Sequence, residues 1–184
     1  MIKVFLGGSR HVSRLSDQVK ERLKTITQKN LPVIVGDANG ADKAMQAFLY
    51  KEGYRNVEVF CSGHSCRNNV GNWKTNLIGG NSRERDFSFY AAKDRVMASE
   101  ATFGLMIWDG KSVGTLLNVW RLIENQKKVV VYLVPERQFL ELKDARQWPQ
   151  LIAKCDIVVR EKVKQRAIEE AKSTLKAAQT SLSF

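Results

Sequence analysis

Short apolar runs alternate with helical periodicity along the first 134 residues. Val4-Phe5-Leu6, Val33-Ile34-Val35 and Leu105-Met106-Ile107-Trp108 are unbroken apolar stretches of strand length. Each leads into a glycine-containing turn: Gly7-Gly8-Ser9-Arg10, Gly36-Asp37-Ala38-Asn39-Gly40-Ala41-Asp42 and Asp109-Gly110-Lys111-Ser112-Val113-Gly114-Thr115. After the turns the period changes. Ala41, Ala44, Met45, Phe48 and Leu49 fall at i, i+3, i+4, i+7 and i+8, and Leu116, Leu117, Trp120 and Ile123 repeat in the same way, as in helices with one core-facing side. The pattern predicts strands over 2–6, 32–36, 57–60, 102–108 and 129–134, and helices over about 15–29, 41–52, 86–99 and 113–126. Strands that alternate with helices make a mainly parallel sheet with helices on both faces, an α/β, Rossmann-like, doubly wound architecture.

Two stretches lack this rhythm. Residues 61–85 carry Gly63, Gly71, Gly79 and Gly80 with little apolar periodicity, and they hold Arg67, Trp73, Lys74, Arg83 and Arg85, which can stack on a base and pair with phosphate. An irregular segment of that length inside a domain is expected to be a ligand-covering loop more readily than plain disorder. Beyond Pro135 the pattern weakens, through Trp148-Pro149, to a charged helix over about 160–178. Its apolar stripe of Val163, Ala167, Ala171 and Leu175 suits packing on a neighbour or a solvated terminal helix equally. The organisation expected is a nucleotide-binding domain over 1–134 and a C-terminal extension over 135–184.

With 184 residues and 43% hydrophobic content, the chain can bury one substantial core. No apolar run approaches the roughly 20 residues of a membrane span. Val4-Phe5-Leu6 is too short for a signal peptide, so a cytoplasmic protein with no membrane partner is expected. Cys61, Cys66 and Cys155 are odd in number and unevenly spaced, which argues against a disulfide framework. Cys61-x-x-His64-x-Cys66 offers three zinc ligands but no local fourth, so no metal site is expected, and no cofactor either. Ser9, Ser112 and Cys66 have no adjacent base pattern that would mark a nucleophile. The formal charge of +11 favours a polyanionic partner such as nucleic acid, or an anionic small ligand. Because the basic residues are spread along the chain, a solvated basic surface accounts for the charge equally well.

The turns carry the chemistry. Gly8 and Ser9 let the backbone approach a phosphate, Arg10 supplies a charged fork, and Gly110, Gly114 and Thr115 form a second anion-accepting turn at a helix start. Asp37, Asp42 and Asp109 would repel phosphate, so their expected role is to accept hydrogen bonds from ribose hydroxyls or base amino groups. For Asp42, the dipole of the helix it opens is a sufficient reason without any ligand.

Through Gly8-Ser9-Arg10, the turn from Gly36 to Asp42, Lys93-Asp94-Arg95-Val96-Met97 and the segment from Trp108 to Thr115, the chain resembles the SLOG superfamily. This is the Rossmann-like fold shared by DNA-processing protein A and the "lonely guy" phosphoribohydrolases; within it the chain resembles the YspA-like (YpsA-related) group of small bacterial and phage proteins. The resemblance implies a site for a nucleotide, nucleoside phosphate or nucleotide-derived signal at the C-terminal ends of the strands. It assigns that site to Gly8, Ser9, Arg10, Gly36, Asp37, Gly40, Asp42, Lys93, Arg95, Asp109, Gly110, Ser112, Gly114 and Thr115, and it implies a homodimer paired through helices. The phosphoribohydrolase branch uses an arginine in an Arg-Lys-x-x-Met element and a glutamate three residues after its Gly-Thr pair; here those positions hold Lys93 and Asn118. Asparagine cannot act as a carboxylate acid or base, so glycosidic cleavage by that route is not expected; Asp109, the candidate catalytic group, or Glu100 could substitute, although nothing in the spacing requires either. Binding of a nucleotide-like ligand is thus the first expectation. An N-glycosidic hydrolase or transferase acting on a nucleoside phosphate is the second, and a DNA-processing-like module for single-stranded nucleic acid the third.

Overall fold

The computed structural model describes residues 2–79 and 87–181, with side chains up to residue 172. Gly80, Arg83 and Arg85 of the expected ligand-covering loop lie outside the described residues. Strands β1 (Val4–Gly8), β2 (Val33–Gly36), β3 (Val57–Ser62), β4 (Lys74–Ile78), β5 (Phe103–Trp108), β6 (Lys128–Leu133) and β7 (Gln138–Leu142) form one sheet in the order β4-β3-β2-β1-β5-β6-β7. Neighbours run parallel throughout, except that β7 returns antiparallel along β6.

The apolar runs of β1, β2 and β5 follow from cover on both faces of the sheet. Val4, Leu6, Val33, Val35, Leu105 and Ile107 point to one core, which α1 (Asp17–Gln28) and α2 (Ala41–Lys51) close with Val19, Leu23, Met45 and Leu49. Phe5, Ile34, Met106 and Trp108 point to the other, under α3 (Phe87–Glu100), α4 (Val113–Glu124) and α6 (Ile157–Ser181). A short helix, α5 (Trp148–Ile152), leads into α6. Val159 and Val163 of α6, Leu142 of β7 and Leu151 of α5 join this second core, so the chain beyond Pro135 packs into the same fold as the chain before it. Among the described residues no helix is long and apolar enough to cross a membrane.

Three features depart from the sequence expectation. First, residues 61–85 contain a strand. β4 pairs only with β3, leaves most of its side chains exposed and therefore lacks the apolar signal of an inner strand. Residues 67–73 are also fastened down: Trp73 is buried with its indole N–H donating to the Tyr54 carbonyl at 3.0 Å, and Gln46 bridges the Gly36 carbonyl and the Val70 N–H. Second, β7 lies in the stretch where the pattern weakens, because an edge strand buries only part of its length. Third, Cys61 and Cys66 are joined as a disulfide, contrary to the reading of the cysteines by number and spacing. The turn through Gly63, at φ 80°, folds the chain back so that their Cα atoms lie 5.0 Å apart. Cys155 is free and buried.

Candidate functional site

The C-terminal ends of β1, β2 and β5 open into a cleft of about 760 Å³, walled by α3, the start of α4 and one face of α6. Of the residues singled out in the sequence, Gly8, Ser9, Arg10, Gly36, Asp42, Lys93, Asp109, Ser112, Gly114 and Thr115 line it. Asp37, Gly40, Arg95 and Gly110 do not, and neither does any described residue between 61 and 79. The three glycine turns thus share one edge of the sheet, as parallel strands feeding helices require.

Ser9 ties the turns together. It is fully buried; its carbonyl accepts the Ala41 N–H at 3.0 Å, and its hydroxyl donates to Asp109 Oδ2 at 2.6 Å while accepting the His11 N–H at 3.2 Å. Gly40, at φ 82°, stacks directly on the Arg10 backbone, where a Cβ would overlap the Arg10 carbonyl. Its glycine therefore serves the fit of the second turn against the first.

Except for Asp42, the acidic residues near the cleft are already engaged. Asp37 is completely buried and takes the Arg67 backbone N–H, Nε–H and one terminal N–H at 3.1, 3.0 and 2.6 Å. Asp109 accepts the Lys111 and Ser112 N–H groups at 3.0 and 2.8 Å in addition to the Ser9 hydroxyl. Burial pushes its carboxyl up, but the Ser9 hydroxyl and these N–H groups outweigh that and hold it below the usual carboxylate range. Asp94 contacts Lys93 Nζ at 2.6 Å and accepts from Asn118 at 3.3 Å. Asn118 in turn accepts from Arg121, which donates to both carboxylate oxygens of Glu170 on α6.

Asp42 differs from the rest. It accepts one weak bond, from the Ala38 N–H at 3.3 Å, and its Oδ2 and Lys93 Nζ both crowd the point where Gly36 would carry a Cβ. Burial pushes the Asp42 carboxyl up to about 7, against the pull of Lys93. Lys93 is raised despite its burial, because Asp94 and Asp42 face it, and Asp94 is lowered despite its burial, because Lys93 and Arg121 face it. At neutral pH the cleft floor accordingly holds an ionised Lys93–Asp94 pair beside a carboxyl that exchanges its proton in the physiological range.

The cations are less committed. Among the described residues, Arg10, Lys111 and Lys162 of the cleft lining form no ion pair; the Arg10 guanidinium lies 5.1 Å from the centre of the Tyr90 ring. Arg67 stacks on the same ring at 4.9 Å. At the start of α4, the Ser112 hydroxyl accepts the Thr115 N–H at 3.3 Å, and a Cβ on Gly114 would meet nothing within 4 Å. The fold itself does not require glycine at 114. An absent side chain that clears space at a helix N-terminus, in a cleft with unpaired cations, fits an anion seated there. Sequence reasoning missed Tyr90, Asp94 and Lys111 as lining residues, and also Lys162 and Arg166, whose four-residue spacing on the polar side of a helix was the available signal. Among the described residues no cluster of His, Cys, Asp and Glu could hold a metal ion.

No protein-family model matches the sequence, and no curated protein matches it significantly. Two solved structures resemble the fold. One is DNA processing protein A from Streptococcus pneumoniae, at a TM-score of 0.54 and 17% identity over 71% of this chain. This chain spans half the length of that protein. The other is DNA processing protein A from Helicobacter pylori, a protein described for its single-stranded DNA binding mode; the TM-score is 0.54 and the identity 13%, over 91% of this chain and 81% of that one. With the sheet order and the placement of its turns, the chain has the α/β, Rossmann-like fold of DNA processing protein A.

Proposed function

We propose that the cleft binds a nucleotide unit through its phosphate, at the Ser9–Arg10 turn and the start of α4. The observation that carries this reading is the combination of open space at Gly114 with Arg10 and Lys111 in the same cleft lining, neither of which forms an ion pair among the described residues. The assignment to the YspA-like group rests on the four motifs that frame the cleft, and the same reading places Tyr90 within reach of a base. Equilibrium titration with a nucleoside and its 5′-phosphate tests it. The phosphate should bind at least tenfold more tightly, and Arg10→Ala should remove most of that difference. Equal affinity for the two would sink the reading.

A second reading, in which the nucleotide unit belongs to a single strand of nucleic acid, is favoured by the formal charge of +11 and by the fold shared with the Helicobacter pylori protein. That likeness speaks for a strand and not for a free nucleotide. Salt dependence separates the two: a strand contacting several phosphates should show a log–log slope of about −0.7 per phosphate, whereas a mononucleotide should stay near a single charge. No contact in the cleft favours glycosidic cleavage over binding, since Asn118 offers no carboxylate and Asp109 is held by three donors.

A further inference from the structure

Besides the glycine turns, α6 supplies part of the cleft wall. Val159 and Val163 bury into the core beside α4, and Glu170 takes both Arg121 donors, with the Arg121 side chain only 7% exposed. These anchors fix the rotation of the helix, and they turn Lys162, Gln165 and Arg166 toward the cleft. Lys162 and Arg166 are one helical turn apart, close enough to act on one group. Lys162 has no ion partner among the described residues. Arg166 is held over the Phe87 ring at 4.6 Å and pairs with Glu169 at 3.0 Å, but both members of that pair are more than 40% exposed, so a phosphate displaces the glutamate at little cost. Of the acids that line the cleft, Asp94 and Asp109 are already engaged and Asp42 lies against Gly36 beside Lys93, while Glu170 of α6 is occupied by Arg121.

We propose that α6 is a ligand-binding wall, on which Lys162 and Arg166 receive a second anionic group of a ligand whose first phosphate sits at the glycine turns. The proposal rests on the reading of the cleft as a nucleotide-phosphate site and adds the class of ligand: one that carries two phosphate groups. A nucleoside diphosphate and a dinucleotide step of a single strand share that chemistry. In either case the ligand bridges the sheet edge and α6, so the last helix becomes part of the site.

Titration of the full chain with thymidine 5′-phosphate, thymidine 5′-diphosphate and the 5′-phosphorylated dinucleotide pTpT tests the proposal in the wild type and in the Lys162→Ala/Arg166→Ala variant. The wild type should bind at least one two-phosphate ligand about tenfold more tightly than the monophosphate, and which of the two it prefers identifies the source. The double variant should lose that preference while its affinity for the monophosphate changes by less than about twofold. Glu169→Gln, which frees Arg166, should strengthen two-phosphate binding. Both substituted positions are exposed, so the variants should fold, as checked by an unchanged thermal unfolding midpoint. A double variant that keeps the preference, or that loses affinity equally for all three ligands, overturns the role of α6 and leaves the phosphate site standing. A wild type that binds none of them overturns both.

Discussion

Lys93 on α3 and Asp42 on α2 converge on Gly36, the last residue of β2, where the missing side chain lets the ammonium and the carboxylate approach. This juxtaposition has a pH signature. The Asp42 carboxyl ionises near 7 in the fold, against 3.8 without it. A raised carboxyl favours folding while protonated, and that contribution is lost as pH rises from the unfolded value through the folded one. The wild type should therefore be less stable at pH 8 than at pH 5, by up to about 2.5 kcal/mol. Asp42→Asn should flatten the difference, as read from unfolding midpoints at the two pH values. Lys93 and Asp94 stay ionised across that window, since one is raised and the other lowered.

Gly114→Ala should separate stability from binding. Alanine is the better helix former by about 0.5–1 kcal/mol, and the fold has room for its methyl group, so the unfolding midpoint should rise. Phosphate-bearing ligands should bind less tightly, because the methyl group occupies the space above the α4 N-terminus. A titration in which binding is unchanged would remove Gly114 from the site.

Asp37 and Arg67 form a structural clamp. Arg67→Ala leaves a fully buried carboxylate with only the backbone N–H of residue 67, and the fold should lose about 3 kcal/mol by denaturant titration. Arg67→Lys should recover little of it, because a lysine cannot supply the two forked donors at once.

Legibility in the sequence followed burial. β1, β2 and β5 stood out as apolar runs because both faces are covered, and the glycine turns that follow them lie together at the edge of the sheet where the cleft opens. β4 and β7 escaped notice because each has one neighbour and an exposed side. The acids were the harder case. Asp37 and Asp109 have the composition of ligand-binding residues, yet nothing local reveals that Arg67, 30 residues on, and Ser9, 100 residues back, already take their oxygens. The place of Lys162 depends on how α6 crosses the fold, which periodicity within one helix does not encode.

The cysteine pairing is open to a direct count. Alkylation of the denatured, unreduced protein should label one thiol, Cys155, and reduction should expose two more. Because the bridge spans only five residues, its loss should lower stability by about 2 kcal/mol while the sheet persists.

The bond between Ser9 and Asp109 also bears on the order of folding. It closes 100 residues of chain, and β1 itself sits between β2 and the far more distant β5. A nascent chain that has emerged only as far as β3 already carries two of the three turns, but the wall holding Asp109 and Gly114 does not yet exist. Long-range closures of this kind form slowly, since the entropy of the intervening loop is lost before the contacts can compensate. The cleft should therefore be completed late in folding, and a ligand of the proposed kind held between its walls should slow the loss of α4 and α6 when the protein unfolds.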